Sequence, residues 1–137
     1  MIEGTHYKRV NGRYKYELLQ NIKIQTSIYF YDVAHPFFNL TKGGELVARK
    51  GYQWDGATCC PDFAFGFKGF LFHDVGYQML REGRLSEYRA ERELMRMKFD
   101  KLLRDLCLAE ANIFQKPIAW TIYAAVRVFG SKYAEGP

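Results

Sequence analysis

"GYQWDGATCCPDF", residues 51–63, separates two parts of the chain that have different hydrophobic patterns. Before this stretch apolar residues alternate with polar ones, and after it they recur at helical spacing. Gly56 permits an unusual backbone angle, and Pro61 cannot continue a strand ladder. The stretch therefore predicts a boundary between a mostly β part, residues 1–60, and a mostly α part, residues 61–137.

Several features predict antiparallel strands in the first part. Asn11-Gly12 lies between two alternating runs, which is the strongest short-range signal for a β-hairpin. Residues 22–31 place isoleucine and threonine on one face and lysine, glutamine and serine on the other, which predicts a half-buried strand. Proline and paired glycines interrupt residues 34–44, and residues 45–54 predict one further strand.

The second part predicts about three helices. The first runs for about four turns and ends at Gly83, and Gly76 within it indicates close approach of another backbone. Ser86 is expected to cap a second helix to about Leu108, and Pro117 to begin a third. The short segment between the first two helices predicts a helical hairpin. The predicted fold is α+β, a small antiparallel sheet packed with three helices in a single domain, residues 1–137.

Composition excludes several classes of protein. Apolar residues make up 48% of the chain and aromatics 17%, so the chain can bury a core and is not of the disordered class. The net charge is +5, but acids are interspersed with the bases, which argues against a nucleic-acid partner. The most apolar run, residues 117–126, is about half the ~20 residues of a membrane span, so it predicts a core or interfacial helix.

Cysteine usage indicates a reducing compartment. Cys59, Cys60 and Cys107 cannot form a paired disulfide framework, and adjacent cysteines rarely bridge each other. No CxxC or HxxxH spacing is present, so a structural zinc site is not predicted.

His73 and Asp74 form the main candidate site. They are consecutive in the most apolar part of the first helix, and Tyr77 follows His73 at i, i+4 on the same face. An imidazole beside a carboxylate can be a metal site or a general base. The alternative is a packed histidine with a hydrogen bond and an aspartate that faces water.

Two further acids are candidates for the same site. Helical counting from Glu91 through Leu94, Met95 and Phe99 predicts that Glu91 heads the buried face, whereas Asp100 points away and is solvated. Glu91 can complete a polar site with His73 or pair with an arginine. Asp55 follows the last predicted strand, where Asp-Gly is either an ordinary turn or part of a site.

The segments "GYQWDGATCCP", "FHDVGY" and "RAERELMRM" together resemble a family of uncharacterised phage and prophage proteins. Its pattern is an Asp-Gly-Ala-Ser/Thr turn with a nearby proline, a His-Asp pair followed by tyrosine, and an alanine-acid pair that heads a helix. The matching residues here are Asp55, Gly56, Ala57, Thr58, Pro61, His73, Asp74, Tyr77, Ala90 and Glu91. The resemblance implies a phage-derived protein, and it implies no particular activity.

"HDVGY" also resembles the His-Asp-x-x-Tyr segment of secreted phospholipases A2. In those enzymes the histidine activates water and the aspartate binds calcium. Their glycine-rich calcium loop and disulfide framework are missing from this sequence. The likeness implies a chemistry for His73 and Asp74, not kinship.

Two hypotheses follow. The first is a small phage-encoded hydrolase, either metal-assisted or His-Asp, in the host cytoplasm or the virion, with a divalent metal as its cofactor in the metal-assisted form. Its catalytic candidates are His73, Asp74, Asp55 and Glu91, its supporting residues are Tyr77, Thr58 and Trp54, and its metal ligands are Asp55, His73 and Asp74. The second is a non-catalytic virion or host-interaction protein, with a phage or host protein as partner, in which this polar cluster is structural.

Overall fold

A computed structural model describes residues 7–9, 16–54 and 64–135 of the chain. Contacts between Cα atoms divide the chain into two compact units, Met1–Gly56 and Ala57–Pro137. The described strands all belong to the first unit and the described helices to the second, so the predicted α+β class is confirmed. The prediction that the whole chain is one domain stays a prediction.

The first unit contains two antiparallel sheets. Their orders are β1-β2-β7 and β3-β6-β5-β4. The strands are β1 Tyr7–Arg9, β2 Tyr16–Leu18, β3 Ile22–Gln25, β4 Val33–His35, β5 Phe38–Leu40, β6 Glu45–Ala48 and β7 Gln53–Trp54. The predicted pairing of the first two strands is confirmed, whereas its turn, Asn11-Gly12, lies outside the described residues. The interrupted segment after residue 33 is itself a hairpin, β4–β5.

One register runs through both sheets. Ile22 pairs with Ala48 in one sheet and Tyr16 pairs with Trp54 in the other. Six positions separate Tyr16 from Ile22, and six separate Ala48 from Trp54, so the two sheets share one pairing register. Gly51, with φ of +95°, permits the turn between β6 and β7, and its N–H donates to the Leu18 carbonyl at 2.8 Å. The single strand predicted over residues 45–54 is therefore two strands, because the chain bends at this glycine.

The strand predicted over residues 22–31 ends at Gln25. The Thr26 hydroxyl donates to the Gly44 carbonyl at 2.7 Å and accepts the Ile28 N–H at 3.1 Å. Such a side-chain hydroxyl competes with the strand ladder for backbone partners. The predicted alternation still holds, since Thr26 and Ile28 are buried and Ser27 between them is exposed.

Aromatic rings form much of the core of the first unit. Trp54 is almost completely buried, and its ring lies 5.5 Å from that of Tyr16, 6.1 Å from Tyr7 and 6.3 Å from Tyr52. Offset and edge-to-face rings at these distances pack favourably. The sequence-based interpretation of Trp54 as a core residue is confirmed.

The second unit is helical. Its helices are α1 Phe67–Arg81, α2 Arg89–Glu110, α3 Lys116–Phe129 and the short α4 Ser131–Ala134. None of the helices in the described part of the chain is long and apolar enough to cross a membrane. Ser86 does not cap α2 directly: its hydroxyl accepts the N–H of Tyr88, which holds the capping position.

Gly83 ends α1 as predicted, with φ of +67°. Its N–H donates to the Leu80 carbonyl at 3.1 Å, and the Arg84 N–H donates to the Met79 carbonyl at 3.0 Å. These two bonds form a Schellman motif, which requires a left-handed residue at the glycine position. The chain then reverses, and α2 packs against α1 as a helical hairpin.

Glycines on α1 let α2 approach closely. A Cβ on Gly69 would lie 3.0 Å from the Leu103 carbonyl oxygen, and one on Gly76 would lie 2.3 Å from the Phe99 ring. Gly69 and Gly76 are seven residues apart and therefore share the face of α1 that packs on α2. The atoms nearest to Gly76 are those of an aromatic ring, and the predicted approach of another backbone at this position stays a prediction. Phe65, Phe70, Leu103, Cys107, Ala119, Ile122 and Val126 form the core between the helices.

Candidate functional site

His73 and Tyr77 lie one turn apart on α1 and share a face, as their spacing predicts. Their ring centroids are 4.1 Å apart. Tyr77 is buried, whereas 14% of the His73 side chain is exposed. The His73 side chain is therefore partly accessible to solvent, and its Nε2 faces the buried Asp100 on α2.

Asp100 on α2 lies at the centre of the site and is completely buried. One carboxylate oxygen, Oδ1, lies 2.6 Å from His73 Nε2 and accepts the Tyr77 hydroxyl at 2.7 Å. The other, Oδ2, accepts Arg127 Nη1 at 2.8 Å and Arg96 Nη1 at 3.4 Å. A buried charge is expensive unless it is paired and hydrogen-bonded, and this carboxylate has donors from three helices.

Glu93 is the second acid of the site, and with Asp100 it balances the charges of Arg96 and Arg127. It accepts Arg96 Nε at 2.8 Å and Arg127 Nη2 at 2.9 Å. Arg96 Nη1 also donates to the Tyr77 hydroxyl and to the Val126 carbonyl, each at 3.2 Å. Two carboxylates therefore neutralise two guanidiniums. We call the following six residues the Asp100 network: Asp100, His73, Tyr77, Glu93, Arg96 and Arg127.

The pKa values of the Asp100 network keep its donors and acceptors in one state. Burial alone would raise the pKa of Asp100, but hydrogen bonds from His73, Tyr77 and Arg127 hold this pKa below its ordinary value. Burial raises the pKa of Tyr77, and its bond to Asp100 raises it further. Asp100 is therefore an ionised acceptor and Tyr77 a protonated donor.

The ionised Asp100 also determines which nitrogen of His73 carries a proton. A carboxylate has only acceptor sites, so a 2.6 Å contact requires a hydrogen on Nε2. In neutral His73 the lone pair then lies on Nδ1, to which no residue of the described ranges hydrogen-bonds. Such an imidazole can accept a proton from water at Nδ1.

Acid is expected to destabilise the protein through Asp100. A folded-state pKa below the unfolded one stabilises the fold at higher pH, and this contribution is lost as pH falls from about 4 through the lower folded value. The urea midpoint of the wild type should therefore fall steeply below about pH 4. Asp100→Asn should show a flatter decline, and Asp105→Asn, which changes an exposed acid, should follow the wild type. Equal declines in all three proteins would contradict this role of Asp100.

The structure locates the remaining predicted site residues in different places. Asp74 is half-buried on α1, next to His73. Trp54 belongs to the core of the first unit. Asp55 and Thr58 lie outside the described residues, so the predictions for them stay predictions.

The predicted burial of the two α2 acids is wrong. Glu91 is exposed, and Asp100 is completely buried. The buried stripe of α2 is Met95, Arg96, Phe99, Asp100, Leu103 and Cys107. Counting apolar residues alone assigned Asp100 to solvent and did not consider Arg96, although opposite charges at i, i+4 can pair. That spacing beside Phe99 and Leu103 was the available signal for the missed residues.

A cavity of about 450 Å³ adjoins the Asp100 network through Glu93 and Arg96. Leu80, Arg89, Arg92, Ser131, Ala134 and Glu135 line the rest of it. Arg92 Nη2 donates to the Ala134 carbonyl at 2.9 Å, which joins α2 to the end of α4. His73 is not among the residues that line this cavity.

Among the described residues, no group of three or more His, Cys, Asp or Glu side chains could hold a metal ion. The predicted ligand set of Asp55, His73 and Asp74 includes one residue outside the described ranges, so it stays a prediction. Cys107 is free and buried, and burial raises the pKa of its thiol to about 12. A thiol with that pKa remains protonated at neutral pH and is unreactive.

Comparison with protein-family models, with curated protein sequences and with solved structures finds no match to this chain. The chemistry of the Asp100 network must therefore carry the functional interpretation.

Proposed function

We propose that the chain is a phage-encoded hydrolase in which His73 acts as the general base and Asp100 orients it. The observation that carries this proposal is the 2.6 Å contact between His73 Nε2 and the buried Asp100 carboxylate. It holds the imidazole in one tautomer and stabilises the cation that forms when Nδ1 takes a proton. The proposed phage origin rests on the resemblance of the three sequence segments to uncharacterised phage and prophage proteins. We infer from that origin a location in the host cytoplasm or the virion.

The proposed step is proton abstraction from water. His73 Nδ1 accepts one proton from water as the water oxygen bonds to the carbonyl carbon of an ester or amide or to the phosphorus of a phosphate ester. The bond from that atom to the leaving oxygen or nitrogen then breaks, and the leaving atom takes the proton back from the imidazolium. Asp74 is the candidate cation ligand beside the base, by resemblance to the phospholipase segment. Because the described residues supply no three-ligand group, we derive no step through a metal ion.

Replacement of the base tests the hydrolase proposal. His73→Gln should lower the hydrolysis rate by about 10²–10⁴-fold, the usual contribution of general-base catalysis. Tyr77→Phe removes another donor to Asp100 but keeps the base, so it should retain most of the rate. The substrates are a p-nitrophenyl carboxylic ester, bis-p-nitrophenyl phosphate and peptidoglycan, each tested with added divalent cations and with EDTA.

Two outcomes would end the hydrolase proposal. One is a wild type that hydrolyses none of these substrates under either condition. The other is a His73→Gln protein that is as active as the wild type. The metal-assisted form would also fail if the purified protein contained no stoichiometric metal and EDTA left both its rate and its melting temperature unchanged.

The second candidate function is a non-catalytic virion or host-interaction protein with a structural Asp100 network. The specific observation in its favour is the charge balance between Asp100, Glu93 and the two arginines. Asp100 and Glu93 already balance the charges of the two guanidiniums, so His73 can be simply one of several helix-joining donors. In that case His73→Gln and Tyr77→Phe lower the melting temperature to a similar extent, and neither the wild type nor the variants hydrolyse the substrates.

A further inference from the structure

We propose that α3 docks on the surface of an anionic lipid bilayer through its solvent-facing side. This side, the α3 outer face, consists of Pro117, Trp120, Thr121, Ala124 and Val128, all of which are exposed. The opposite side packs into the helical core through Ala119, Ile122 and Val126. The inference does not depend on the hydrolase proposal.

The α3 outer face lacks the polar side chains that solvent-facing helices carry. Trp120 is 51% exposed and Val128 is 68% exposed. Thr121 is the polar residue of the face, and its hydroxyl donates to the Pro117 carbonyl of the same helix at 2.9 Å. Phe129, the last residue of α3, is also exposed, and further exposed apolar residues lie before the helix at Ile113 and Phe114 and after it at Tyr133. Large exposed apolar side chains concentrated in one segment of the chain are typical of an interaction site.

Charge identifies the occupant as an anionic bilayer. Residues 111–134 contain no acid, whereas Lys116 and Lys132 are basic and exposed. The third base of this segment, Arg127, is paired with Asp100 and Glu93. The Arg104 guanidinium lies over the rings of Trp120 and Tyr123, at 5.0 and 4.9 Å. Two copies that paired symmetrically through this face would bring like charges together, whereas anionic headgroups offer opposite charges.

The dimensions fit a helix that lies in the plane of the membrane. The 14 residues of α3 extend about 21 Å, which is shorter than the ~30 Å hydrocarbon core. Tryptophan and tyrosine rings prefer the headgroup region, and arginine and lysine near them can reach the phosphates. Insertion of an exposed apolar helix face and attraction of nearby lysines to anionic headgroups are the two contributions that bind an interfacial helix to a bilayer.

Vesicle binding by the full chain tests this proposal. Sedimentation should show binding to vesicles that contain phosphatidylglycerol, weaker binding to pure phosphatidylcholine vesicles, and a loss of binding with added salt. Val128→Glu should weaken binding about tenfold, and Lys132→Ala about fivefold. Leu94→Glu, on a 43% exposed residue of α2, introduces the same charge change elsewhere and should bind like the wild type.

Tryptophan fluorescence provides a second measurement on the folded protein. The chain has two tryptophans, Trp54 in the core of the first unit and Trp120 on the α3 outer face. Anionic vesicles should shift the emission to the blue, and Trp120→Phe should abolish that shift while vesicle binding persists. The shift in the wild type reports insertion of this face even if a charged variant fails to fold.

Three results would overturn the proposal. The first is the absence of binding to either vesicle composition. The second is undiminished vesicle binding by Val128→Glu, which would assign the binding to another surface. The third is a concentration-dependent dimer that Val128→Glu dissociates without any vesicle binding, because the occupant would then be a second copy of the chain.

Discussion

Asp100→Ala is expected to lower the free energy of unfolding by about 3–5 kcal/mol. The substitution removes the acceptor shared by His73, Tyr77, Arg96 and Arg127, and it leaves the mostly buried Arg96 without one of its anions. Glu93 alone would then face two guanidiniums, and an uncompensated positive charge in the interior costs far more than the net contribution of a salt bridge. Urea unfolding followed by far-ultraviolet circular dichroism measures the loss.

Asp105 provides the matched control for Asp100. It lies on the same helix and pairs with Arg104 at 2.9 Å, but its side chain is exposed. Exposed pairs typically contribute up to about 1 kcal/mol, so Asp105→Ala should change the free energy of unfolding only slightly. If both alanine variants lowered the free energy of unfolding by the same small amount, the Asp100 network would not be what stabilises the packing of the three helices.

Gly76→Ala is expected to destabilise the helical unit by about 2–3 kcal/mol. Alanine is the better helix former by roughly 1 kcal/mol, so propensity alone predicts the opposite sign. Its Cβ, however, would lie 2.3 to 2.6 Å from three atoms of the Phe99 ring, which is completely buried. The ring cannot move aside without disturbing the packing between α1 and α2.

A double-mutant cycle separates overpacking at Gly76 from other effects. Phe99→Leu makes room for the new methyl group, so its cost should be smaller in the Gly76→Ala background than in the wild type. Gly43→Ala is the control, since a Cβ there meets only the Thr41 hydroxyl at an ordinary 3.9 Å. Strictly additive losses at positions 76 and 99, or a stabilised Gly76→Ala protein, would contradict the tight packing of the Phe99 ring against this glycine.

Local sequence signals predicted the helical elements well. Gly83 ended α1, Pro117 lies in the first turn of α3, and the short segment between α1 and α2 produced an antiparallel pair. Each signal acts within a few residues, through a left-handed cap, a missing N–H or a short connection. The strand predictions were less complete because Thr26 and Gly51 divert the backbone through bonds to distant residues.

The candidate site was predicted in part. His73 and Tyr77 were paired correctly, because i, i+4 residues share a helix face wherever that helix packs. The acid that meets them was assigned to Glu91 instead of Asp100. Helical periodicity counts apolar residues, and it cannot show that a charged residue is buried when its partners lie on other helices.

The sequence by itself determined where the strands give way to helices and which residues end and begin α1 and α3, because glycine, proline and hydrophobic period act locally. Only the tertiary structure decided that Asp100 is the buried acid and that Arg96 and Arg127 accompany it. An ion is buried only where ion pairs and hydrogen bonds offset its desolvation free energy, and those partners come from distant parts of the chain. The packing of α1, α2 and α3 therefore determines which charged residues form the site.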